Sequence, residues 1–325
     1  MRQLRAKVAG AYYHATSRCA FQTFAFEAES KDMFVKIMRR AEVFSGVKIA
    51  NYCVMDNHFH ILVKVPVRKD VDDAELDRRI AVLYGDAKAE ALFKKWKSLA
   101  DCGGAATVQR ERDAYRARMY DISHFMKTLK QRFSLWYTTH HGNLEGSIWQ
   151  GRFHSTLVEN STSALSAVSA YIDMNPVRAN IVDNAKDYAW SGFGAATKGD
   201  SAAKAGILGI MAERLGETSI AKTGWQTEAW KCYRELVGWK EERSSNQQSV
   251  GKAARSLSGK MPNREERLSR GLAFGSSRYV NRAIATFRDV GTTRTCAIIF
   301  GTNGDALLCC TGRRIRGCDG QAANI

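Results

Sequence analysis

The stretch Asn57-His58-Phe59-His60-Ile61-Leu62-Val63 places two histidines at the start of an apolar run. Such a run is typical of a β-strand, in which side chains i and i+2 share a face, roughly 7 Å apart. His58 and His60 could then converge on one divalent metal ion while Phe59 enters the core from the other face. Because a His-x-His pair on a strand is more often two ordinary histidines, spacing alone does not establish a metal site.

Hydrophobic periodicity and turn residues predict the elements around this stretch. They are a strand over 9–18, a helix over 31–45 that ends at Gly46, two strands over 47–55 and 58–65 around the turn-prone Asp56-Asn57 (a hairpin or one long bent strand), an amphipathic helix over 121–139 and a helix over 162–174.

Two regions differ from this pattern. Residues 67–119 are rich in charged residues and alanine, with Gly103-Gly104 in the middle, and predict two or three surface helices inserted into the domain. Residues 196–260 are rich in Ala, Gly, Ser and Lys, with one apolar helix near 224–239. The polar segment Ser244–Lys260 predicts a flexible linker.

The 325-residue chain is strongly basic, with 49 Lys and Arg against 33 Asp and Glu, a net charge of +16. A surface of this charge favours polyanionic partners, nucleic acid first and anionic membrane second, although a basic solvated surface without a partner is the alternative. Residues 240–325 contain 15 Lys or Arg and 7 Asp or Glu. That tail is either an auxiliary DNA contact or a disordered basic segment.

The composition argues against several other classes. No window approaches the roughly 18 apolar residues that a membrane-spanning helix needs, and the N-terminus does not read as a signal peptide. The eight cysteines include no C-x-x-C pair, which argues against a zinc ribbon or a thioredoxin-type site. We therefore expect a cytoplasmic protein with reduced thiols and no membrane partner.

A second chemical motif, Tyr171-Ile172-Asp173-Met174-Asn175-Pro176, stands at the end of a predicted helix. Proline ends the helix because it pushes the preceding residue out of the α region. Tyr171 and Asn175 lie four residues apart and so project from one face. A helical tyrosine is usually a core residue with a satisfied hydroxyl, and Asn175 could merely cap the helix, so this pair alone is a weak signal.

A basic and aromatic loop, Trp149-Gln150-Gly151-Arg152-Phe153, precedes the tyrosine helix. Arg152 could pair with a phosphate in bidentate fashion, and an aromatic ring could stack on a base. The alternative is that Trp149 fills the core beside a surface arginine.

In their order and content these motifs resemble the REP-associated tyrosine transposases, within the wider class of HUH single-tyrosine transposases. The resemblance spans residues 9–194. The combination of motifs is specific to this family, whereas any single motif would not be. The motifs are Tyr12-Tyr13-His14-Ala15-Thr16-Ser17-Arg18, Met55-Asp56-Asn57-His58-Phe59-His60, Leu129-Lys130-Gln131-Arg132-Phe133, Trp149-Gln150-Gly151-Arg152-Phe153, Tyr171-Ile172-Asp173-Met174-Asn175-Pro176-Val177-Arg178-Ala179 and Asp187-Tyr188-Ala189-Trp190-Ser191. Asp56 departs from the family, which usually has proline there; we expect it to alter the turn and not the chemistry.

The resemblance implies an α+β fold, a ferredoxin-like antiparallel sheet with packed helices and the histidine pair on a central strand. We expect a transposase domain over 1–195, with a helical insertion over 67–119, and a basic, mostly helical C-terminal extension over 196–325. By the family pattern His58, His60 and Asn175 are metal ligands and Tyr171 is the nucleophile; Tyr120, Tyr137 and Tyr188 do not match its place. The predicted DNA contacts are Arg152, Trp149, Lys127, Lys130, Arg132 and Arg178.

The implied activity is cleavage and strand transfer of single-stranded hairpin DNA, with Mg²⁺ or Mn²⁺ as cofactor. A cation offsets charge at the phosphate, and tyrosine, with an ordinary pKa near 10, needs such a field to lose its proton during attack. The expected product is a 5′-phosphotyrosine adduct and a free 3′-OH. The sequence does not predict the oligomeric state.

Three other functions are compatible with parts of this evidence. A basic sheet with aromatic residues can bind single strands without cutting them, and this non-catalytic nucleic-acid-binding protein is the main alternative. A metal phosphodiesterase would hydrolyse DNA with water and would not need Tyr171. A replication initiator would use the same chemistry, but the helicase-type phosphate loop G-x-x-x-x-G-K-[ST] is not present in the sequence.

Overall fold

The computed structural model describes residues 8–20, 26–142, 147–215, 224–238, 271–286, 295–300 and 306–311. The predicted linker over 244–260 lies outside these described residues. No helix within them is both long enough and apolar enough to cross a membrane.

Strands from both ends of the chain form one sheet. In chain order the described strands are β1 (Tyr12–Arg18), β2 (Lys48–Val54), β3 (His58–Lys64), β4 (His154–Val158), β5 (Gly271–Gly275), β6 (Thr295–Phe300) and β7 (Ala306–Thr311). Their spatial order is β2-β3-β1-β4-β5-β7-β6. Neighbouring strands are antiparallel, except β4 and β5, which run parallel.

Helices cover the sheet and fill the connections. The described helices are α1 (Ala28–Ser45), α2 (Asp73–Tyr84), α3 (Asp86–Leu99), α4 (Ala105–Arg116), α5 (Ile122–His141), α6 (Thr162–Asp173), α7 (Asn175–Arg178), α8 (Gly192–Thr197), α9 (Ser201–Leu215), α10 (Trp225–Leu236) and α11 (Ser277–Thr286). A kinked turn, Ala100–Gly104, joins α3 to α4. A short 3-10 turn, Ala185–Asp187, precedes α8.

The alternation of side chains along β3 separates the core from the histidine face. Phe59, Ile61 and Val63 are fully buried in a core shared with α1 and α5. The ring centre of Phe59 lies 4.6 Å from that of Phe34 on α1. Leu62 belongs to a second apolar cluster, shared with α6 on the opposite side of the sheet. Alternate residues of a strand project from one face, so His58 and His60 share the face of Leu62. Phe59 therefore enters the core on the opposite face, as predicted.

The site-bearing half of the sheet matches the predicted fold. Strand β3 lies between β2 and β1, and β1 lies between β3 and β4, so the histidine pair is on an interior strand. Thr16 of β1 stands directly opposite His60, and Arg18 stands opposite His58. The prediction of an α+β fold with a helix-packed antiparallel sheet is confirmed.

The predicted helices lie close to the observed ones. Glycine ends α1 at Gly46 with a φ of +70°, and the helix predicted near 224–239 is α10. Ser161 caps the start of α6 by accepting from the backbone N–H of Ala164. Three helices, α2, α3 and α4, occupy the insertion.

The region after residue 196 contributes strands as well as helices. Strand β5 pairs with β4 through Leu157 opposite Ala273, and β7 and β6 continue the sheet. The carboxylate of Glu159 accepts from the backbone N–H of Ser276 at 2.6 Å and from its hydroxyl at 2.9 Å, just before α11. The sequence analysis did not predict these short strands, or β4, because their pairing partners are distant in the chain.

Candidate functional site

Three histidines meet on the sheet face that α6 covers. The rings of His58 and His60 lie 5.0 Å apart at 81° to each other. His14 on β1 stacks against His60 with ring centres 5.1 Å apart, and its Nε2 lies 2.9 Å from His60 Nδ1. The structure therefore brings the predicted pair together and adds His14, which the sequence analysis did not assign. Strand alternation could have identified it, because His14 shares a face of β1 with Thr16, the residue opposite His60.

The hydrogen bonds of the two β3 histidines leave their Nε2 atoms as the candidate ligand atoms. His58 Nδ1 lies 2.6 Å from the side-chain oxygen of Asn57, and because an amide oxygen only accepts, His58 Nδ1 carries the proton. His60 Nε2 is buried and has no hydrogen-bond partner among the described residues. Leaving a buried polar atom without a hydrogen bond is unfavourable in free energy, so the position of this atom favours a bound ligand.

Both histidines are held in the neutral form that metal binding requires. Burial, reinforced by the nearby Arg18, lowers the pKa of His58 to about 4. Burial, and then the neighbouring His14 and His58, lowers the pKa of His60 well below its ordinary value. A neutral imidazole has a lone pair to give to a cation, so at neutral pH this pair can serve as ligands.

Tyr171 reaches the histidines from α6. Its ring meets His60 edge-on with centres 5.6 Å apart, and meets His14 edge-on at 5.8 Å. The side chain is only 8% exposed. The residues that the sequence predicted as nucleophile and metal pair, separated by more than 100 positions, are thus neighbours.

Arg178 lies against the tyrosine. Its guanidinium carbon is 4.3 Å from the centre of the Tyr171 ring, and one of its amino groups donates to the Tyr171 carbonyl oxygen at 2.7 Å. A cation over an aromatic face is attracted by the ring quadrupole and stabilises negative charge nearby. Arg178 was predicted as a DNA contact, and the structure places it beside the tyrosine.

Asn175, the predicted third ligand, is engaged at the end of the helix. Its side-chain N–H groups donate to the carbonyl oxygens of Tyr171 and Ile172, at 3.0 and 3.2 Å. Its side-chain oxygen accepts from Arg178 at 3.2 Å. In this arrangement Asn175 ties α6 to α7, and a ligand role stays a prediction.

The metal fit rests on the histidine pair. Within the described residues, no group of three or more His, Cys, Asp or Glu side chains is arranged to hold a metal ion. The buried, partnerless Nε2 of His60 and the oriented ring of His58 are compatible with a divalent ion that completes its coordination with water or phosphate oxygens.

A groove of about 820 Å³ runs between α5 and the loop over 147–153. Lys127, Lys130 and Arg152 line it, and among the described residues of its lining none is acidic. Met126 and Phe153 contribute apolar surface to the same groove. A groove lined by basic and apolar side chains suits a nucleic-acid strand, which has anionic phosphates and largely apolar base faces.

Trp149 and Arg132 both contact other side chains of the protein. Trp149 is 8% exposed, its indole N–H donates to Ser134 at 2.9 Å, and its side chain also lines the groove. Arg132 packs its guanidinium 4.9 Å from the ring centre of Tyr84, on the side of the insertion. A DNA-binding role for Trp149 and for Arg132 stays a prediction.

Comparison with known proteins adds two similarities. Residues 7–75 match the family of transposases described as IS200-like. This stretch includes β1 and the β2–β3 hairpin, and hence His14, His58 and His60. This chain resembles the IS200-like transposases. The predicted resemblance to single-tyrosine transposases is thereby confirmed.

A solved structure of a REP-associated tyrosine transposase bound to a REP hairpin is also similar, with 16% identity and a TM-score of 0.38. The similarity covers 60% of this chain and 84% of that one. No curated protein matches this chain.

Proposed function

We propose that this chain cleaves and rejoins single-stranded hairpin DNA through a 5′-phosphotyrosine intermediate, with Tyr171 as nucleophile and His58 and His60 as metal ligands. The observation that carries the proposal is the buried contact of the Tyr171 ring with His60, whose Nε2 has no partner among the described residues. The catalytic domain is residues 1–195, and residues 196–325 are a basic extension.

His58 and His60 would hold Mg²⁺ or Mn²⁺ through their Nε2 atoms, with Asn175 as the further ligand that the family resemblance implies. A divalent ion bound there supplies positive charge at a non-bridging phosphate oxygen. Asn57 orients the His58 ring through its Nδ1, and burial keeps both imidazoles neutral.

Tyr171 would attack the scissile phosphorus through its phenolic oxygen. The new bond joins that oxygen to phosphorus, the bond to the 3′ oxygen breaks, the phenol proton passes to solvent, and the leaving 3′ oxygen takes up a proton. Arg178, with its charge 4.3 Å from the ring centre, stabilises the developing phenolate. Because the adduct keeps the phosphodiester bond energy, attack by another 3′-OH rejoins strands without ATP.

Lys127, Lys130 and Arg152 would contact the phosphates of the strand in the α5 groove. The basic net charge of +16 favours such a partner. Hairpin DNA is proposed as the substrate because of the family resemblance, and the similar transposase structure contains a REP hairpin.

The test is incubation with a labelled single-stranded hairpin and Mn²⁺, followed by a denaturing gel. We expect a covalent protein–DNA band that is absent in Tyr171→Phe. The matched control, Tyr137→Phe, alters a half-buried tyrosine on α5 and should retain the band. His58→Ala and His60→Ala should lose the band while still binding the hairpin. Cleavage without a band, unaffected by Tyr171→Phe, would instead indicate a metal phosphodiesterase.

A non-catalytic single-strand-binding protein is the second candidate, favoured by the engagement of Asn175 within its own helix end. It predicts hairpin binding with no heat of Mn²⁺ binding in calorimetry and no cleaved product.

A further inference from the structure

His14 is a buried polar residue that the proposed chemistry does not use. It lies on β1, 1% exposed, with its Nε2 2.9 Å from Nδ1 of His60. Its ring also meets the Tyr171 ring edge-on at 5.8 Å. A buried imidazole that contacts both a candidate ligand and the candidate nucleophile calls for an explanation beyond packing.

The hydrogen bond between the two imidazoles has two possible directions. If His60 donates from Nδ1 to His14, the lone pair of His60 is on Nε2, the atom without a partner among the described residues. If His14 donates, the proton of neutral His60 is on Nε2, where it would occupy the position of a metal. Only the first direction allows His60 to bind a cation through Nε2.

The neighbouring ligand shows the same arrangement. His58 donates from Nδ1 to the side-chain oxygen of Asn57, which cannot donate in return. Each β3 histidine thus has its Nδ1 engaged by a residue outside the metal pair. In metal sites the partner of the second ring nitrogen sets the tautomer and the ring orientation of the ligand.

We infer that His14 is a positioning residue that accepts the Nδ1 proton of His60 and so directs the His60 Nε2 lone pair toward the metal; this inference rests on the proposed function. His14 does not itself bind the ion through Nε2, because that nitrogen faces His60. Its ring also limits the space in which the Tyr171 ring can turn.

Substitutions at residue 14 distinguish two roles of His14, acceptance of the His60 Nδ1 proton and packing. His14→Gln places an amide oxygen near the position of Nε2 and can still accept the proton, whereas His14→Leu fills similar space and cannot. Leu62→Val is the matched control, because Leu62 stands opposite His14 on β3, is fully buried, and has no polar atom in its side chain. Thermal unfolding of each variant checks that it is folded.

The first measurement is Mn²⁺ affinity of the metal-free full-length chain by calorimetry. His14→Leu should weaken binding about tenfold to a hundredfold, while His14→Gln and Leu62→Val stay within about threefold of the starting protein. Unchanged affinity in His14→Leu would overturn the inference. Equal losses in the Gln and Leu variants would also overturn it, by indicating direct ligation or packing.

The second measurement is nitrogen NMR of the His60 ring without metal. We expect a proton on Nδ1 in the starting protein and in His14→Gln, and a mixture of tautomers in His14→Leu; a proton on Nε2 in the starting protein would refute the inference. His60→Ala distinguishes a failure of the proposed metal site from a failure of the role inferred for His14. If it leaves Mn²⁺ affinity unchanged, the proposed metal site is wrong; if it abolishes binding and His14→Leu does not, only the role of His14 fails.

Discussion

His14, His60 and Arg178 surround Tyr171, with their ring centres or guanidinium carbon within 5.8 Å of its ring centre. The His60 imidazole at the edge of the Tyr171 ring is neutral because burial lowers the pKa of His60, and Arg178 adds positive charge on its face. Charge acts more strongly in a dry site than in water, so a single guanidinium here affects the phenol more than a surface arginine would.

Replacing Arg178 should slow adduct formation without preventing hairpin binding. Arg178→Met keeps most of the side-chain volume but removes the charge over the Tyr171 ring and the bond to the Tyr171 carbonyl. We expect single-turnover adduct formation to fall by about tenfold or more, the effect of roughly 1.4 kcal/mol or more of lost stabilisation. Arg178→Lys should recover part of the rate, and an unchanged rate in Arg178→Met would contradict this role.

Asp56 lies in the turn before His58, and its contacts are only partly predictable from the sequence. It was expected to alter the turn before His58, where the related family usually has proline. Its carboxylate pairs with Lys31 at 2.6 Å, and the Lys31 side chain is 7% exposed. Its backbone oxygen accepts from Phe26. The ion pair fixes the turn to α1 by a long-range contact that local turn propensity could not predict.

At the scale of elements, a buried polar network anchors the tyrosine helix from behind. The carboxylate of Asp173, at the end of α6, accepts from Tyr233 of α10, from the Asn51 side chain of β2 at 2.7 Å, and from the backbone of Phe193. Burial raises the pKa of Asp173 to about 6, against the lowering effect of these hydrogen bonds.

This network predicts a defined pH dependence of stability. Because the folded-state pKa of Asp173 lies above its ordinary 3.8, its contribution to stability is present at low pH and is lost as pH rises through about 6. Asp173→Asn should therefore become more stable relative to the starting protein between pH 4 and pH 7, by roughly 3 kcal/mol. Urea unfolding of both proteins across this range tests it, and a constant or opposite difference would contradict it.

The elements that the sequence predicted well are those with local signals. Helix α6 has a serine cap and a proline after its end, and the β2–β3 hairpin has apolar runs around a turn. Strands β5, β6 and β7 have no such signals, and their pairing is set by contacts with β4 and with each other. The same limit applies to His14, whose meaning depends on the register of β1 against β3.

At the scale of the molecule, the predicted site residues fall into two groups. Tyr171, His58 and His60 are brought together on one face of the sheet by strand alternation and by α6, as their order in the chain suggested. The predicted DNA contacts are dispersed: Lys127, Lys130 and Arg152 share the α5 groove, while Arg132 and Arg178 face Tyr84 and Tyr171. The net positive charge of the sequence indicated a polyanionic partner. It did not indicate which lysine and arginine side chains would contact that partner.

The groove predicts how DNA affinity depends on salt. Lys127→Ala and Arg152→Ala should each weaken hairpin binding and reduce the slope of log affinity against log salt by about 1, because each removes one phosphate contact. Lys95→Ala is the control, since Lys95 pairs with Glu111 on the insertion, away from the groove. Equal effects of the three substitutions, measured by fluorescence anisotropy, would show that the groove does not bind the strand.

The most direct test of the central claim is to locate the covalent bond. The full-length protein is incubated with Mn²⁺ and a single-stranded hairpin, the DNA is trimmed with nuclease, and tryptic peptides are sequenced by mass spectrometry. Our account predicts a nucleotide attached through its 5′ phosphate to Tyr171. Attachment to another tyrosine such as Tyr188, or cleaved DNA with no modified peptide, would contradict it.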